Sequence, residues 1–378
     1  MSRDIYERLA QHLDDLPAGF PRTESGVELR ILRRLFTPED AKLAVHLTLI
    51  LEEARVIARR AKIPVEEATR RLEKMFEKGL IFGLHRKSKP PLYMAEQFVV
   101  GFWEGQVNKL DRDLIQDAEE YLSTYFDQSS WWAVPQLRTI PVGKSISTQS
   151  EVMPYERAEE LVRGQRTFAV GNCICRQEKR LLGEGCDKPE ESCLSFGTAA
   201  RINVRTGRAR TISMEEALAI LQRAEEVGLV LQPANAKKAL FMCTCCGCCC
   251  GVLRSLKRYP EPASLVSSSF IASLNVDTCT GCGTCVERCQ MEAIHLTDGT
   301  AALDLKRCIG CGLCVSTCPS DSLSLVRKPK IKQAYVPEDI VEANIKLAKA
   351  RGKLGIGKRV GMQVRSKLDR FLSSRQVE

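Results

Sequence analysis

The sequence predicts an α+β protein made of several domains. The chain has 378 residues, of which 44% are hydrophobic and 27% are charged, and a chain of this size and composition forms two or three hydrophobic cores. Amphipathic helical segments alternate with short apolar segments that have the length of strands. All eighteen cysteines lie between Cys173 and Cys318, so the chain divides into a cysteine-rich centre and two cysteine-free flanks.

The sequence carries no predicted secretory or membrane signal. No apolar run reaches the roughly 18 to 20 residues of a membrane-spanning helix, and the best candidate, Ala41–Leu51, is interrupted by His46 and Thr48. The first residues contain acids and no apolar core, so we expect a cytoplasmic protein. In a reducing compartment, cysteines are expected to bind metals rather than to form disulfides.

Residues 26–95 combine three predicted helices with a predicted hairpin. The helices are predicted at Val27–Phe36, Leu51–Ala61 and Val65–Lys78, and Gly79 ends the last of them. Two strands, Leu80–Phe82 and Leu92–Met94, enclose a basic loop at residues 86–91. This order resembles a winged helix-turn-helix domain, although no diagnostic motif accompanies it.

The charge of the helix Val65–Lys78 distinguishes two uses of this winged-helix-like domain. In a winged helix-turn-helix domain this helix would read DNA. Its basic residues are balanced by glutamates, so it has no net attraction for phosphate; the residues are Arg70, Arg71, Lys74, Lys78, Glu66, Glu67, Glu73 and Glu77. We therefore predict a docking or dimerisation module that could form a homo-oligomer, and we keep DNA binding only as the alternative.

Residues 96–165 are predicted to be a helical connector that contains one strand. A helix is expected at Asp111–Phe126 and another at Pro154–Gly164, with the strand at Leu137–Val142 between them. Trp131 and Trp132 are adjacent, so on an extended chain their side chains would point to opposite sides. We predict that core packing alone explains both; the alternative is that one packs inside while the other covers a cofactor or partner.

The strongest signal is a cysteine motif that occurs twice near the C-terminus. Both copies have the pattern C-x2-C-x2-C-x3-C at an offset of 29 residues, and the cysteines are Cys279, Cys282, Cys285, Cys289, Cys308, Cys311, Cys314 and Cys318. The match extends to flanking apolar residues, which indicates an internal duplication. Each copy contains two glycines that permit tight turns and leave amide donors facing the sulfurs, which favours an iron-sulfur cluster over zinc.

Residues 269–327, which contain both copies, resemble a bacterial-type ferredoxin domain with two 4Fe-4S clusters. In that family the fourth cysteine of each run binds the other cluster. The resemblance implies one cluster bound by Cys279, Cys282, Cys285 and Cys318, and a second bound by Cys308, Cys311, Cys314 and Cys289. The sequence departs from the family at Gln290, where proline is usual, and this departure affects the turn after Cys289 without removing a ligand.

Residues 166–259 are predicted to form an α/β domain with ten cysteines, in two similar layouts. In each layout a short apolar strand runs into a C-x-C sequence, and a helix at Met214–Val227 with a strand at Leu229–Leu231 connects the two. This pattern indicates two related half-sites. The cysteines are Cys173, Cys175, Cys186, Cys193, Cys243, Cys245, Cys246, Cys248, Cys249 and Cys250.

These ten cysteines supply ligands for one or two further clusters. The most economical partition combines Cys186 and Cys193 with Cys173 or Cys175 and completes that site from the run Cys243–Cys250, which also holds the other site. Zinc or a purely structural group of thiols is the alternative.

A helix that began near Cys245 would place several of these thiols on one face. The thiols concerned are those of Cys246, Cys249 and Cys250, and they would lie beside free amide groups at the positive end of the helix dipole. That position also lowers the pKa of a thiol and favours the thiolate that binds metal.

The stretch from Phe168 to about Tyr259 is similar to the central part of multidomain ferredoxin-like proteins of anaerobic bacteria. The shared features are the Cys-x-Cys-Arg segment that ends at Arg176, a downstream cysteine pair, a helix like that after Ser213, and a dense cysteine run. The resemblance implies iron-sulfur redox work in an anaerobic setting, and it implies no particular reaction.

Residues 328–378 are predicted to be a basic C-terminal tail. From Arg327 to Glu378 there are 14 Lys or Arg against 5 Asp or Glu, which equals the +9 net charge of the whole chain. Such a tail is either solvated and partly disordered or a site that steers an acidic redox partner; nucleic acid and anionic lipid are further alternatives.

The motifs together predict an electron carrier rather than a self-sufficient enzyme. None of the four histidines lies beside a cysteine run, and no nucleotide-binding motif is present. We expect an iron-sulfur protein that relays low-potential electrons as a subunit of an anaerobic oxidoreductase system, with redox proteins as partners. Two alternatives stay open: a redox-sensing winged-helix regulator, and an enzyme with an unusual iron-sulfur active site at Cys243–Cys250.

Overall fold

The computed structural model describes residues 4–127, 129–146, 151–353 and 356–374. Its helices are α1 Ile5–Asp14, α2 Val27–Leu35, α3 Pro38–Ala44, α4 Ala54–Ala61, α5 Val65–Glu77, α6 Arg112–Phe126, α7 Ser129–Ala133, α8 Ala158–Arg163, α9 Ile174–Leu181, α10 Gly197–Arg205, α11 Met214–Glu226, α12 Gly251–Lys257, α13 Pro262–Leu265, α14 Thr284–Arg288, α15 Ile340–Ala350 and α16 Ile356–Ser374. Its strands are β1 Glu52–Glu53, β2 Phe82–Arg86, β3 Lys89–Met94, β4 Phe168–Asn172, β5 Glu191–Phe196, β6 Ala209–Ile212, β7 Val230–Pro233, β8 Phe241–Cys245, β9 Phe270–Leu274, β10 Ile294–Thr297, β11 Thr300–Leu303 and β12 Leu323–Arg327. This mixture of helix and sheet agrees with the predicted α+β class.

The chain forms two compact units. The first contains Met1–Trp131 and Asn344–Glu378, and the second contains Trp132–Ala343. All eighteen cysteines therefore lie in the second unit. Within the described part of the chain, no helix combines the length and the apolar character that a bilayer-spanning segment requires.

In the first unit, β1, α4, α5, β2 and β3 follow one another, and the sheet order is β1-β3-β2. The sequence pattern did not predict β1, which has only two residues. The predicted loop at residues 86–91 was too long, because β3 already begins at Lys89 and only Lys87 and Ser88 form the turn. Ser88 adopts the left-handed conformation, with φ at 56°, that closes this short hairpin. The winged-helix interpretation stays a prediction.

The C-terminal helix α16 packs against α4 through buried charges. The guanidinium of Arg60 is 5% exposed and pairs with Glu52 and, at 2.7 Å, with Asp369 of α16. Ser366 donates a hydrogen bond to Glu52 at 2.6 Å. Because a buried cation requires paired carboxylates, these contacts hold the end of the chain within the first unit.

The second unit is centred on a five-stranded antiparallel sheet with the order β6-β4-β5-β8-β7. In this register Gly171 of β4 lies opposite Cys193, and Leu194 of β5 lies opposite Met242 of β8. The end of β4, the start of β5 and the end of β8 therefore lie side by side at one end of these inner strands, which is called the sheet edge below. That edge brings three distant segments of the chain together, and each of them carries cysteines.

Three local predictions for the second unit and its boundary were wrong. Trp131 and Trp132 lie in the short helix α7 and not on an extended segment, although the burial of both agrees with the predicted core packing. Residues 137–142 form isolated bridges to Ala234, Ser267 and Leu231 instead of a strand. The prolines and serines of residues 260–269 predict a linker between the two cysteine-rich regions, but this stretch contains α13 and has buried serines at Ser267 and Ser268.

The C-terminal repeat, defined as residues 269–327, exchanges strands between its two copies. The first strand of the first copy, β9, pairs with the last strand of the second copy, β12. The last strand of the first copy, β10, pairs with the first strand of the second, β11. Small and branched residues from both copies form one shared core: Ala272, Ala293, Ile294, Ala301 and Leu323.

Candidate metal centres

Two cavities lie within the C-terminal repeat, and the first contains cysteines from both copies of the motif. It is lined by Leu274, Leu296, Ala301 and Leu323 together with Cys279, Cys282, Cys285 and Cys318. The chain reaches it from β9, from the loop before α14 and from the turn that precedes β12. Cys318 thus lies with the three leading cysteines of the other run.

The second cavity has the complementary composition. It is lined by Ala272, Ile294, Leu303 and Met291 together with Cys289, Cys308, Cys311 and Cys314. The structure therefore brings the eight cysteines together in the two sets of four that the resemblance implies. Whether these eight thiols are the ligands stays a proposal.

Backbone amides point at the sulfurs of both cavities. The N–H groups of Ala301, Ala272 and Ala293 donate to Sγ of Cys279 at 3.5 Å, of Cys308 at 3.4 Å and of Cys289 at 3.2 Å. Such bonds stabilise thiolates and raise the reduction potential of a bound cluster. This donor set fits an anionic iron-sulfur cluster in each cavity.

The glycines of the motif allow the chain to turn around the cavities. Gly281 and Gly310 have φ values of 65° and 70°, in the left-handed region. A Cβ at Gly281 would lie 1.9 Å from the carbonyl oxygen of Gly299, and one at Gly310 would lie 2.1 Å from that of Phe270. Both positions therefore require glycine for conformation and for space.

We expect Gly281→Ala to disrupt the first cavity far more than Gly299→Ala. Both glycines have positive φ, which adds roughly 1–2 kcal/mol for an alanine. Only the alanine at 281 also meets backbone, because a Cβ at Gly299 has no atom within 4 Å. Overpacking adds about 1–3 kcal/mol. Denaturant unfolding and iron analysis of both variants measure the difference, and equal losses would show that the contact is unimportant.

The two cavities differ in exposure. Cys282 of the first cavity is exposed, and a hydrogen bond with the Thr284 hydroxyl lowers its pKa. Burial raises the pKa of Cys311 in the second cavity to about 12. Cys285 and Cys314, one from each cavity, are both buried and interact electrostatically. The first cavity is thus the one nearer the surface, and the two are neighbours.

The ten central cysteines separate into two groups. The four-thiol group consists of Cys186, Cys246, Cys248 and Cys249, whose Sγ atoms all lie within 4.8 Å of one another. Sγ of Cys186 lies 3.8 Å from that of Cys246 and 3.7 Å from that of Cys249. Sγ of Cys248 lies 3.7 Å from that of Cys249.

The remaining thiols form the six-thiol group at the sheet edge described above. Contacts between thiols connect its members in the order Cys173, Cys175, Cys250, Cys245, Cys243 and Cys193. Cys173 and Cys250 are the N-cap residues of α9 and α12. Hydrogen bonds from Cys175 and Cys193 hold the pKa values of Cys250 and Cys243 well below the usual range.

Arg176 serves both thiol groups. Its side chain is buried, and its guanidinium donates to the carbonyl oxygen of Thr244 at 2.9 Å and to Ser192. It also lies 3.9 Å from Sγ of Cys246 and interacts electrostatically with Cys173 and Cys245. Arg176 belongs to the Cys-x-Cys-Arg segment seen in the sequence, but the sequence did not indicate this role.

Gln290 connects the second cavity with the four-thiol group. It lines that cavity, and its Oε1 accepts a hydrogen bond from the amide of Gly247 at 2.8 Å. A Cβ at Gly247 would lie 2.2 Å from the backbone oxygen of Gln290, so glycine is required for this approach. Gln290, which replaces the proline usual at this position, therefore has a hydrogen-bond partner that lies between two members of the four-thiol group in the sequence.

Two predictions for the central cysteines were wrong. No helix starts near Cys245; β8 ends there, a turn follows, and α12 begins only at Gly251. The economical partition also fails, because Cys186 separates from Cys173, Cys175 and Cys193. The pairing of strands, which a spacing pattern does not reveal, decides which thiols meet.

Comparison with known proteins identifies the C-terminal repeat. Residues 272–325 match the family model of the 4Fe-4S dicluster domain. A stretch of 29 residues, 8% of this chain, is 55% identical to a probable ferredoxin of Methanosarcina thermophila, and it spans 50% of that relative. No solved structure matches the chain.

The prediction of a dicluster ferredoxin domain with 4Fe-4S clusters is thereby confirmed for the C-terminal region. The residues around both cavities fit this cofactor, because each cavity offers four thiols and amide donors. The cluster supplies the redox chemistry, while the protein sets its potential through hydrogen bonds, charge and burial. Electron transfer follows as the chemistry of this domain.

Proposed function

We propose that the chain is an iron-sulfur electron-transfer protein that relays low-potential electrons from its C-terminal repeat to a third cluster in the six-thiol group. The observation that carries this proposal is the contact between Gln290, which lines the second cavity, and Gly247, because Gly247 belongs to the run Cys243–Cys250 that also supplies three members of the six-thiol group. The clusters would be held by the two sets of four cysteines that line the cavities. Donors and acceptors would be redox proteins in an anaerobic, cytoplasmic oxidoreductase system.

The surface around the first cavity supports entry of electrons at that end. Cys282 is exposed there, and so is the apolar side chain of Leu296, which lines the same cavity. Val276 and Val286, close to Cys279 and Cys285 in the sequence, are exposed as well. Exposed apolar residues grouped on one surface favour a protein interface. An electron would then pass by way of the neighbouring Cys285 and Cys314 to the more buried second cluster.

The six-thiol group has the donors that a third cluster needs. It offers six sulfurs, two of them on the N-cap residues of α9 and α12. The Nε of Arg176 is buried and has no hydrogen-bond partner in the described structure. Because a buried donor without an acceptor is unfavourable by about 1–3 kcal/mol, an anionic group beside it is favoured.

Charges in the first unit support a docking role for the winged-helix-like domain. Arg71 pairs with Glu67 and Asp40, and Lys78 also pairs with Asp40. These two cations, on α5 and at its C-cap, are therefore already neutralised within the protein and contribute little attraction to phosphate. We propose that this domain binds protein, a second copy of the chain included, rather than nucleic acid.

An enzyme with its active centre in the six-thiol group is the second candidate. It is favoured by the partial exposure of Cys173, Cys175, Cys193 and Cys243, which gives small molecules access. This candidate expects turnover of a small substrate with an artificial reductant, and replacement of Cys243 would abolish that turnover while the spectrum of the C-terminal repeat stays intact.

Iron and sulfide analysis of the protein purified without air tests the relay. We expect about twelve irons and twelve sulfides per chain, from three 4Fe-4S clusters. EPR spectra of the reduced protein should show magnetic interaction between the two clusters of the C-terminal repeat. About eight irons per chain would mean that only the two clusters of the C-terminal repeat are present and that the third cluster does not exist. A protein without labile sulfide would overturn the whole proposal.

A further inference from the structure

The four-thiol group lies where two loops meet. Cys186 belongs to the loop between α9 and β5, and the other three members belong to the turn between β8 and α12. Cys246 and Cys249 are each 1% exposed, Cys186 is half-buried, and Cys248 is exposed. The group is thus buried on one side and reaches the surface on the other.

The spacing of these sulfurs fits a single metal ion. Four sulfurs bound tetrahedrally at about 2.3 Å, the zinc-to-thiolate distance, lie about 3.8 Å apart. The measured Sγ separations are 3.8 Å for Cys186 with Cys246, 3.7 Å for Cys186 with Cys249 and 3.7 Å for Cys248 with Cys249. The group therefore already has the dimensions of a mononuclear tetrathiolate site.

A 4Fe-4S cluster requires wider spacing, because each thiolate binds a different corner of the iron-sulfur cube. The two cavities of the C-terminal repeat provide the internal comparison. Within the described residues, the four-thiol group is the one set of three or more cysteine, histidine or carboxylate ligand atoms that lie within 4.8 Å of one another. The cysteines that line the dicluster cavities do not approach one another in this way.

The surroundings suit four thiolates around a divalent cation. The guanidinium of Arg176, 3.9 Å from Sγ of Cys246, offsets part of the net negative charge. The amide of Lys188 donates to Cys186, and the amide of Gly247 is fixed by Gln290. Contacts of this kind orient metal ligands and hold the coordination geometry.

We propose that Cys186, Cys246, Cys248 and Cys249 bind one zinc ion in a closed tetrahedral site. Four protein thiolates leave no open position, so the site is structural and not catalytic. The ion fastens the loop after α9 to the turn after β8, next to the strand ends at which the six-thiol group lies. Among divalent metals that accept four thiolates, zinc binds more strongly than ferrous iron.

Metal analysis and X-ray absorption of the full-length, air-free protein test this site directly. We expect about one zinc per chain and a zinc-edge spectrum with four sulfurs at about 2.3 Å. This measurement needs no variant. A zinc content near zero, a single iron in a tetrathiolate site, or a short metal-to-metal distance around the zinc would each overturn the proposal.

The variant Cys248→Ser, matched with Cys282→Ser, assigns the ion to its ligands. Both cysteines are exposed, so both replacements disturb the core little. We expect Cys248→Ser to lose zinc and keep its iron, and Cys282→Ser to keep zinc and lose about four irons. Loss of about four irons from Cys248→Ser would instead show a cluster at this site. If the protein retained zinc but contained no labile sulfide, the proposed electron relay would be wrong and the proposed zinc site would still be supported.

Discussion

Replacing Cys308 by serine is expected to remove about four irons and to stop electron flow from the C-terminal repeat into the cysteine-rich region. Cys308 lines the second cavity, is buried, and accepts the hydrogen bond from Ala272. A serine hydroxyl keeps the size of the thiol but stays protonated and binds iron poorly. The loss should be complete rather than graded, because the lining of the second cavity is what contacts the cysteine-rich loop.

Iron analysis and stopped-flow reduction by reduced methyl viologen measure this effect. Cys282→Ser is the matched control, since it belongs to the first cavity and should leave the absorption of the second cluster in place. If Cys308→Ser kept all of its iron, or if its third cluster were reduced as fast as in the natural protein, the second cavity would not be a step in the path.

Arg176→Met should destabilise the protein by about 3–5 kcal/mol, the range for removal of one partner from a buried ion pair. Arg176 is 3% exposed and is the cation that both thiol groups share. Without it, the thiolates of Cys173 and Cys246 lose their nearest compensating charge. We therefore expect losses of the third cluster and of zinc together, measured by metal analysis and denaturant unfolding.

Two further replacements separate charge from geometry at this position. Arg180→Met lies one turn later on α9, where the side chain is 64% exposed and pairs with Glu190, so its effect should stay below about 1 kcal/mol. Arg176→Lys keeps the charge but not the planar fork of donors, and an intermediate loss is expected. Full metal content in Arg176→Met would contradict a shared electrostatic role.

The C-terminal repeat could be predicted closely because its information is local. Each run of cysteines turns on its own glycines, and the 29-residue offset exposes the duplication. The exchange of the fourth cysteine followed only from resemblance to a family. The structure agrees with this exchange for a physical reason: β9 of the first copy pairs with β12 of the second, so each copy contributes to the lining of both cavities.

The central region resisted prediction because its contacts are not local. Cys193 meets Cys243 through the register of β5 and β8, which lie far apart in the sequence. The run Cys243–Cys250 carries a helical spacing, yet a turn forms there, and Cys250 acts as an N-cap. Side-chain spacing alone could not show that backbone pairing of β8 would continue as far as Cys245.

One acidic residue in the basic C-terminal segment, Asp369, indicates how that segment packs. From Lys346 to Val377 the sequence contains a single acid, Asp369, and this residue pairs with the buried Arg60. An isolated acid in a basic helix indicates an internal ion pair. The net charge of the segment did not reveal this ion pair, because a sum of charges counts paired and unpaired side chains in the same way.

The strand exchange in the C-terminal repeat makes its two copies inseparable. If the repeat were cut between β10 and β11 and its halves separated, all four strands would lose their partners. Each cavity would then keep an incomplete set of cysteines. A single ancestral copy could have closed such a structure only by associating with an identical molecule. Covalent fusion of the copies therefore replaced an encounter between two molecules by an intramolecular one, and assembly of the pair no longer depends on protein concentration.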